Sequence, residues 1–242
     1  MAKGKYTRKQ LKKPDEFISL SMKVWDFIKA QASRVVVMLL VAIVVVAAVW
    51  VWTYFAEQRA KKTTAALTRA FDIYTQTVIP TESKLPEGDD DIPRFKTREA
   101  KLKASVKEFT KVMETAGGDG KELARLMRAG VHFDQGSYAK AAQDYRAFLS
   151  SGPADPFRTA AIEGLAYSLE AQKKYDKALE QFRKLADDKA LQWTARYHEA
   201  RVLARKGDKK QAAKLLREVI DKAEDRTIVN RASDHLALVE SK

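Results

Sequence analysis

Between Val35 and Ala56 the chain runs for 22 residues, VVVMLLVAIVVVAAVWVWTYFA, without a charge. Coiled as a helix, such a run is about 33 Å long at roughly 1.5 Å per residue, enough to cross the hydrocarbon core of a bilayer. Thirteen of its residues are Val, Leu, Ile or Phe, which on an insertion scale favours the membrane by at most about 4–8 kcal/mol. Trp50, Trp52, Tyr54 and Phe55 gather at the far end, where amphipathic rings prefer the headgroup layer. A cleaved signal peptide has a shorter apolar stretch, roughly 7–15 residues, and a small-residue cleavage site. A lipoprotein needs a Cys, and this chain has none. A buried core helix is seldom apolar all round over such a length. Residues 35–56 are therefore read as one transmembrane helix.

Flanking charge gives the span a direction. Residues 1–34 hold nine Lys and Arg against Asp15, Glu16 and Asp26, a net of +6 out of +13 for the whole chain. After the span, Arg59, Lys61, Lys62 and Arg69 are the basic residues that follow closely. The excess before the span keeps the N-terminus in the cytoplasm. Residues 57–242 are then exported, which in a bacterium means a periplasmic domain on the inner membrane. An exported domain meets no nucleic acid, so the basic balance is in part a targeting feature. The basic tail is expected to be held near anionic lipid. Behind it, Phe17, Leu20, Val24, Ile28 and Gln31 recur at helical spacing. Two readings of this stretch stay open: an interfacial helix with Trp25 and Phe27 at the headgroups, or an extension of the anchor helix. The lack of Cys also excludes disulfides, Cys-ligated zinc and a catalytic thiol, and leans toward an oxidising compartment.

Beyond the span the sequence repeats itself. Ala141, Ala178 and Ala212 lie 37 and then 34 residues apart. The same two intervals relate Tyr145, Phe182 and Leu216, then Phe148, Leu185 and Val219, then Ala129, Ala166 and Ala200, and at the turns Gly136, Lys173 and Gly207. Long stretches rich in Ala, Leu, Lys, Arg, Glu and Gln favour helix, and few runs alternate with period two, so each unit reads as helix, turn, helix. Small columns let paired helices approach closely, and the larger columns fill the space between hairpins. These columns resemble the tetratricopeptide repeat, with Tyr138 and Tyr175 matching its turn-side aromatic and Pro153 standing where that family often ends a repeat. Arg125 and Arg128 depart from it, taking places where apolar residues are usual. Ser105, Phe109 and Val112 copy the second-helix spacing 36 residues before Ala141, and the first helix of that earlier unit is expected near Thr64–Val78. Pro80–Pro93 between them reads as an exposed loop. The expected organisation is all-α: a cytoplasmic tail over 1–34, the span over 35–56 and a tetratricopeptide-repeat-like α-solenoid over 57–242. Within it, a degenerate unit covers 57–116, repeats cover about 122–155, 159–192 and 193–226, and a capping helix over 227–240 presents Ile228, Ala232, Leu236 and Val239 on one face.

No catalytic constellation stands out. His132, His198 and His235 fall in different repeats without a second ligand at metal spacing, GGDG at 117–120 follows no strand and reads as a turn, and Asp89–Asp91 reads as a solvated acidic tip. No enzyme activity, metal or cofactor is expected. In the repeat family the first helix of each hairpin lines a groove that grips peptide or protein. The resemblance implies that Glu163, Tyr167 and Glu170 of one unit, with Tyr197, Arg201 and Arg205 of the next, face it. The layout of basic tail, single anchor and degenerate repeats resembles the YfgM-type proteins, ancillary subunits of the SecYEG translocon. That resemblance implies a chaperone-like adaptor that handles exported chains, with translocon subunits, periplasmic chaperones or exported clients as partners. A structural subunit of outer-membrane, cell-division or motility machinery is the other expectation.

Overall fold

The computed structural model describes residues 16–30, 32–79, 93–152, 154 and 157–241. The basic tail up to and including Asp15, Gln31, the proline-bounded segment that carries Asp89–Asp91, and Pro153 lie outside the described residues, as do the side chains of Phe17 and Ile28. Ten helices and no strand occur among those described. The chain divides into two compact units, Met1–Gln58 and Arg59–Lys242.

The first unit holds α1 (Glu16–Ala30) and the start of α2 (Ala32–Thr75). Within α2 an 18-residue window reaches a mean hydropathy of 3.1 with none of its residues buried. The helix is long and apolar enough to cross a membrane. Trp50, Trp52 and Tyr54 are exposed, as is Trp25 of α1, and the Lys29 ammonium lies 5.4 Å from the Trp25 ring centre. Sequence spacing sets a separate helix near Thr64–Val78; instead α2 runs without a break to Thr75. The linking residues Glu57–Thr64 contain neither Gly nor Pro, so nothing stops the backbone ladder.

In the second unit each helix from α3 (Arg98–Thr115) to α10 (Arg226–Glu240) packs on the next, through α4 (Gly118–Asp134), α5 (Tyr138–Ser150), α6 (Phe157–Ala171), α7 (Tyr175–Ala186), α8 (Gln192–Lys206) and α9 (Lys209–Lys222). In addition α4 touches α6 and α8 touches α10. These added contacts make α4, α6, α8 and α10 an inner layer and leave α3, α5, α7 and α9 outside. The result is an α-solenoid of stacked hairpins.

All twelve residues in the helical columns are buried, and the Ala members are fully so. With no side chain beyond Cβ, they set the close approach of paired helices that larger residues would forbid. The column at the turns has a different role. Gly136, Lys173 and Gly207 all have left-handed backbones, with φ of 72°, 59° and 104°. Each closes a helix, as when the Lys173 and Lys174 amides donate to the Glu170 and Leu169 carbonyls. Lys173 thus holds a conformation that favours glycine.

The earlier unit is stitched in by its own cluster, in which Ala70 of α2 joins Leu102, Phe109 and Val112 of α3 and Ala124 and Val131 of α4. The Gly117–Gly120 stretch is not a free turn: Gly118 begins α4. A Cβ at Gly120 would come within 2.5 Å of the Thr63 methyl, so glycine here permits the first turn of α4 to sit against α2. At the other end Asp225 caps α10, its Oδ1 accepting from the Thr227 amide at 2.7 Å. Ile228 and Ala232 of α10 are buried against Leu216 and Val219, with Leu236 and Val239 packed beside them.

Candidate functional site

The first helices α6 and α8 carry all six expected groove residues. One repeat interval of 34 places Tyr167 and Arg201 in the same column, and Glu163 and Tyr197 in another. Stacking adjacent hairpins brings such columns together. The Arg201 guanidinium lies 5.1 Å from the centre of the Tyr167 ring, and donates from Nη2 to Glu170 Oε2 at 2.5 Å. Arg205 holds Nη1 3.1 Å from the other oxygen, Oε1, as an ion pair without hydrogen-bond alignment. The Glu170 side chain is only 3% exposed, whereas Arg205 is 59% exposed. Glu170 therefore faces inward and anchors two arginines, one of which reaches water.

Four of the six remain partly open, Arg201 among them at 24% side-chain exposure. Glu163, Tyr167 and Tyr197 are half-buried. Burial pushes the Glu163 carboxyl above its ordinary value, and burial likewise raises the Tyr167 phenol, because both charged forms lose solvation.

The residue that joins them is one the sequence reading left aside. His198 stacks on Phe182 with ring centres 5.3 Å apart and planes 24° apart, and stands edge-on to Tyr167 at 5.4 Å. Its Nε2 is 3.0 Å from the Tyr167 hydroxyl. Burial, with Arg201 adding to it, pushes its pKa down to about 4, so the imidazole is neutral at pH 7. Tyr197 packs between His198 at 5.1 Å and His235 of α10 at 6.1 Å. The His198 signal was present in the repeat columns. It occupies the position held by Gly164 one unit earlier, and there a Cβ would strike the Tyr145 ring at 2.2 Å. A column that admits nothing beyond hydrogen in one hairpin holds an imidazole in the next, where the Phe182 ring lies stacked 5.3 Å away.

A second polar cluster explains the misplaced arginines. Arg128 donates from Nε and Nη2 to the two Asp144 oxygens at 2.8 and 2.7 Å, and from Nη1 to Thr110 Oγ1 at 3.0 Å. It ties α4 to both α3 and α5. Arg125 is held by Glu122, a turn away on α4, at 2.7 Å. His132 sits 3.9 Å from Asp144, yet burial lowers its pKa. Among the described residues no three His, Cys, Asp or Glu converge as metal ligands. A cavity of about 560 Å³ opens elsewhere, between the start of α4 and the α5–α6 connection, over Leu123, Phe148 and Phe157.

The profile of the tetratricopeptide repeat-like domain family matches residues 26–237. No curated protein matches the chain. Two solved structures of nearly identical TPR-like repeats, from a candidate kinesin light chain of Podosopora anserina, are similar to it. Each is 15% identical and spans 60% of this chain; the first covers 80% of its own chain with a TM-score of 0.49. The second, a single-residue variant of those repeats, covers 79% with a TM-score of 0.50. Likeness at that identity shows the fold alone.

Proposed function

The chain belongs to the tetratricopeptide repeat-like domain family, and from that premise we propose that it is a membrane-anchored scaffold whose inner helix layer grips a protein partner. Repeats of this kind form protein–protein interaction surfaces, and binding rather than turnover is the activity assigned to them here. The observation that carries the reading is the α6–α8 cluster. Tyr197 and Arg205 reach solvent from a base fixed by Glu170, His198 and Phe182. Rigid aromatic and arginine anchors of this sort dominate binding energy where proteins meet.

Several finer assignments complete the proposal. The apolar stretch of α2 is the anchor, with Trp25, Trp50, Trp52 and Tyr54 at the membrane interfaces. The basic flank sets the N-terminus in the cytoplasm and the repeats in the periplasm. The resemblance to YfgM-type proteins makes the partner a translocon subunit, a periplasmic chaperone or an exported client. Affinity capture of the full chain from detergent-solubilised membranes tests this, comparing wild type with a Y197A/R205A variant. Translocon subunits or periplasmic chaperones, depleted at least about fivefold by the variant, are the expected result. Capture of division or outer-membrane machinery without translocon subunits would overturn the translocon assignment. Partners retained equally by the variant would overturn the groove. For topology, alkaline phosphatase fused after Lys242 is expected to be active.

A further inference from the structure

Basic residues outnumber acidic ones over most of the repeats, and one helix reverses the balance. Together α3, α5, α7 and α9 carry fifteen Lys and Arg against eight Asp and Glu, a net of +7. The inner helices α4, α6, α8 and α10 carry ten against eight, a net of +2. Among these eight helices only α6, with Glu163 and Glu170 against Arg158, is net negative. Its two carboxylates are used differently. Glu170 is taken up by Arg201 and Arg205. Glu163 is half-buried, and no ion pair or hydrogen bond reaches its side chain from any described residue. Burial alone raises its carboxyl, with no neighbouring cation to pull it back.

The arginines that could answer Glu163 are committed elsewhere. Leu126 of α4 and Tyr197 of α8 stand in the same repeat column as Glu163. Within about a turn of those two, Arg125 is held by Glu122 and Arg128 by Asp144, while Arg196 turns to Glu218 and Arg201 to Glu170. What the inner face offers around the carboxylate is aromatic or small. Tyr167 follows one turn along α6 and Tyr197 lies on α8, both half-buried. On α4, the column of Tyr167 is held by Gly130, which has no side chain. A Cβ there would meet only the Tyr145 hydroxyl, at 3.8 Å, so the face is open on that side. A carboxylate kept partly out of water without a partner carries a cost that an incoming cation removes. Tyrosine rings attract the same cation. Arginine suits the combination best, since its guanidinium stacks on rings and bonds a carboxylate through two parallel hydrogen bonds.

Resting on the groove reading above, we propose that Glu163 receives a basic side chain, arginine foremost, from the protein segment that lies along the inner layer, with Tyr167 and Tyr197 beside it. The Arg201 charge over the Tyr167 ring is balanced by Glu170, so it does not turn the incoming cation away. Arg205, in contrast, is exposed and shares that same Glu170. The groove is therefore polar along its length, acidic at Glu163 and basic at Arg205. That polarity sets the direction in which a segment lies, because like charges placed opposite each other are rejected.

The test selects random phage-displayed peptides against the full chain in detergent, wild type and E163Q in parallel. Glutamine keeps the size of the side chain and removes its charge. Peptides retained by the wild type are expected to share one Arg or Lys position, and those retained by E163Q to lack it. A synthetic peptide from the wild-type pool should then bind E163Q about tenfold more weakly, read by fluorescence anisotropy. Changing its shared basic residue to Gln should weaken wild-type binding by a similar factor and E163Q binding hardly at all, because both changes remove one and the same pair. Peptides that depend on Tyr197 and Arg205 yet share no basic residue would overturn the proposal and leave the groove standing. So would losses that multiply when both changes are combined. Peptides held equally by the Y197A/R205A variant, or no selected peptide at all, would defeat the groove and the Glu163 site with it.

Discussion

Two buried carboxylates, Asp144 and Glu170, each hold arginine, and they hold it differently. Asp144 takes two aligned hydrogen bonds from Arg128, and the third Arg128 contact, to Thr110, closes the cluster within α3, α4 and α5. Glu170 takes one hydrogen bond from Arg201 and an unaligned ion pair from Arg205. Arg201 Nε and His198 Nδ1 are buried there without partners. The first cluster is satisfied and binds helices within and before one hairpin. The second joins the inner helices of neighbouring hairpins and keeps polar capacity unspent beneath the surface. A saturated ion pair fixes helices within one stack of three, and the unsaturated one leaves Arg205 59% exposed.

The largest expected effect falls on the saturated pair. Asp144→Ala leaves Arg128 without its partner, at 20% exposure, and should cost about 3–4 kcal/mol in urea unfolding of the full chain in detergent. Next comes pH. The His198 imidazole sits at about 4 in the folded chain and regains its ordinary value near 6.5 on unfolding. The unfolded chain therefore binds more protons between those values, and stability falls as pH drops through that window, then levels. The loss is about 2–3 kcal/mol after allowing for partial exposure, and His198→Gln should remove that part of the slope in melting curves. Glu170→Gln should cost less than Asp144→Ala, about 1–2 kcal/mol, because the amide oxygen can still accept from Arg201 and Arg205 already reaches water at 59% exposure. An equal or larger cost would break the comparison. The smallest effect has the opposite sign. Lys173→Gly relieves a left-handed lysine and should raise the urea midpoint by the equivalent of about 0.5–1 kcal/mol. No gain would mean that the Lys173 backbone is not strained.

Much of this was legible because repeats expose their own constraints. A residue type recurring at fixed intervals reports the space around it, so the Ala, aromatic and aliphatic columns identified core positions without any view of the fold. The apolar run needed no tertiary information either, since length and hydropathy alone make it able to span a bilayer. Paired side chains were not legible in the same way. Nothing in the spacing says that Arg128 finds Asp144 across α4 and α5, or that Glu170 turns inward while Tyr197 stays half open.

The sequence by itself determined the apolar span, the all-helical class and the period of the stack, because each depends on composition or local spacing. Only the tertiary structure decided that α2 continues into the repeats, that Gly120 is a point of contact with Thr63, and that His198 fills what Gly164 must leave empty. Those outcomes depend on which hairpin lies beside which, and on the volume each neighbour leaves. The same stacking sorts the charge, placing an excess of +7 on the outer layer and leaving the inner layer its tyrosines and half-satisfied arginines.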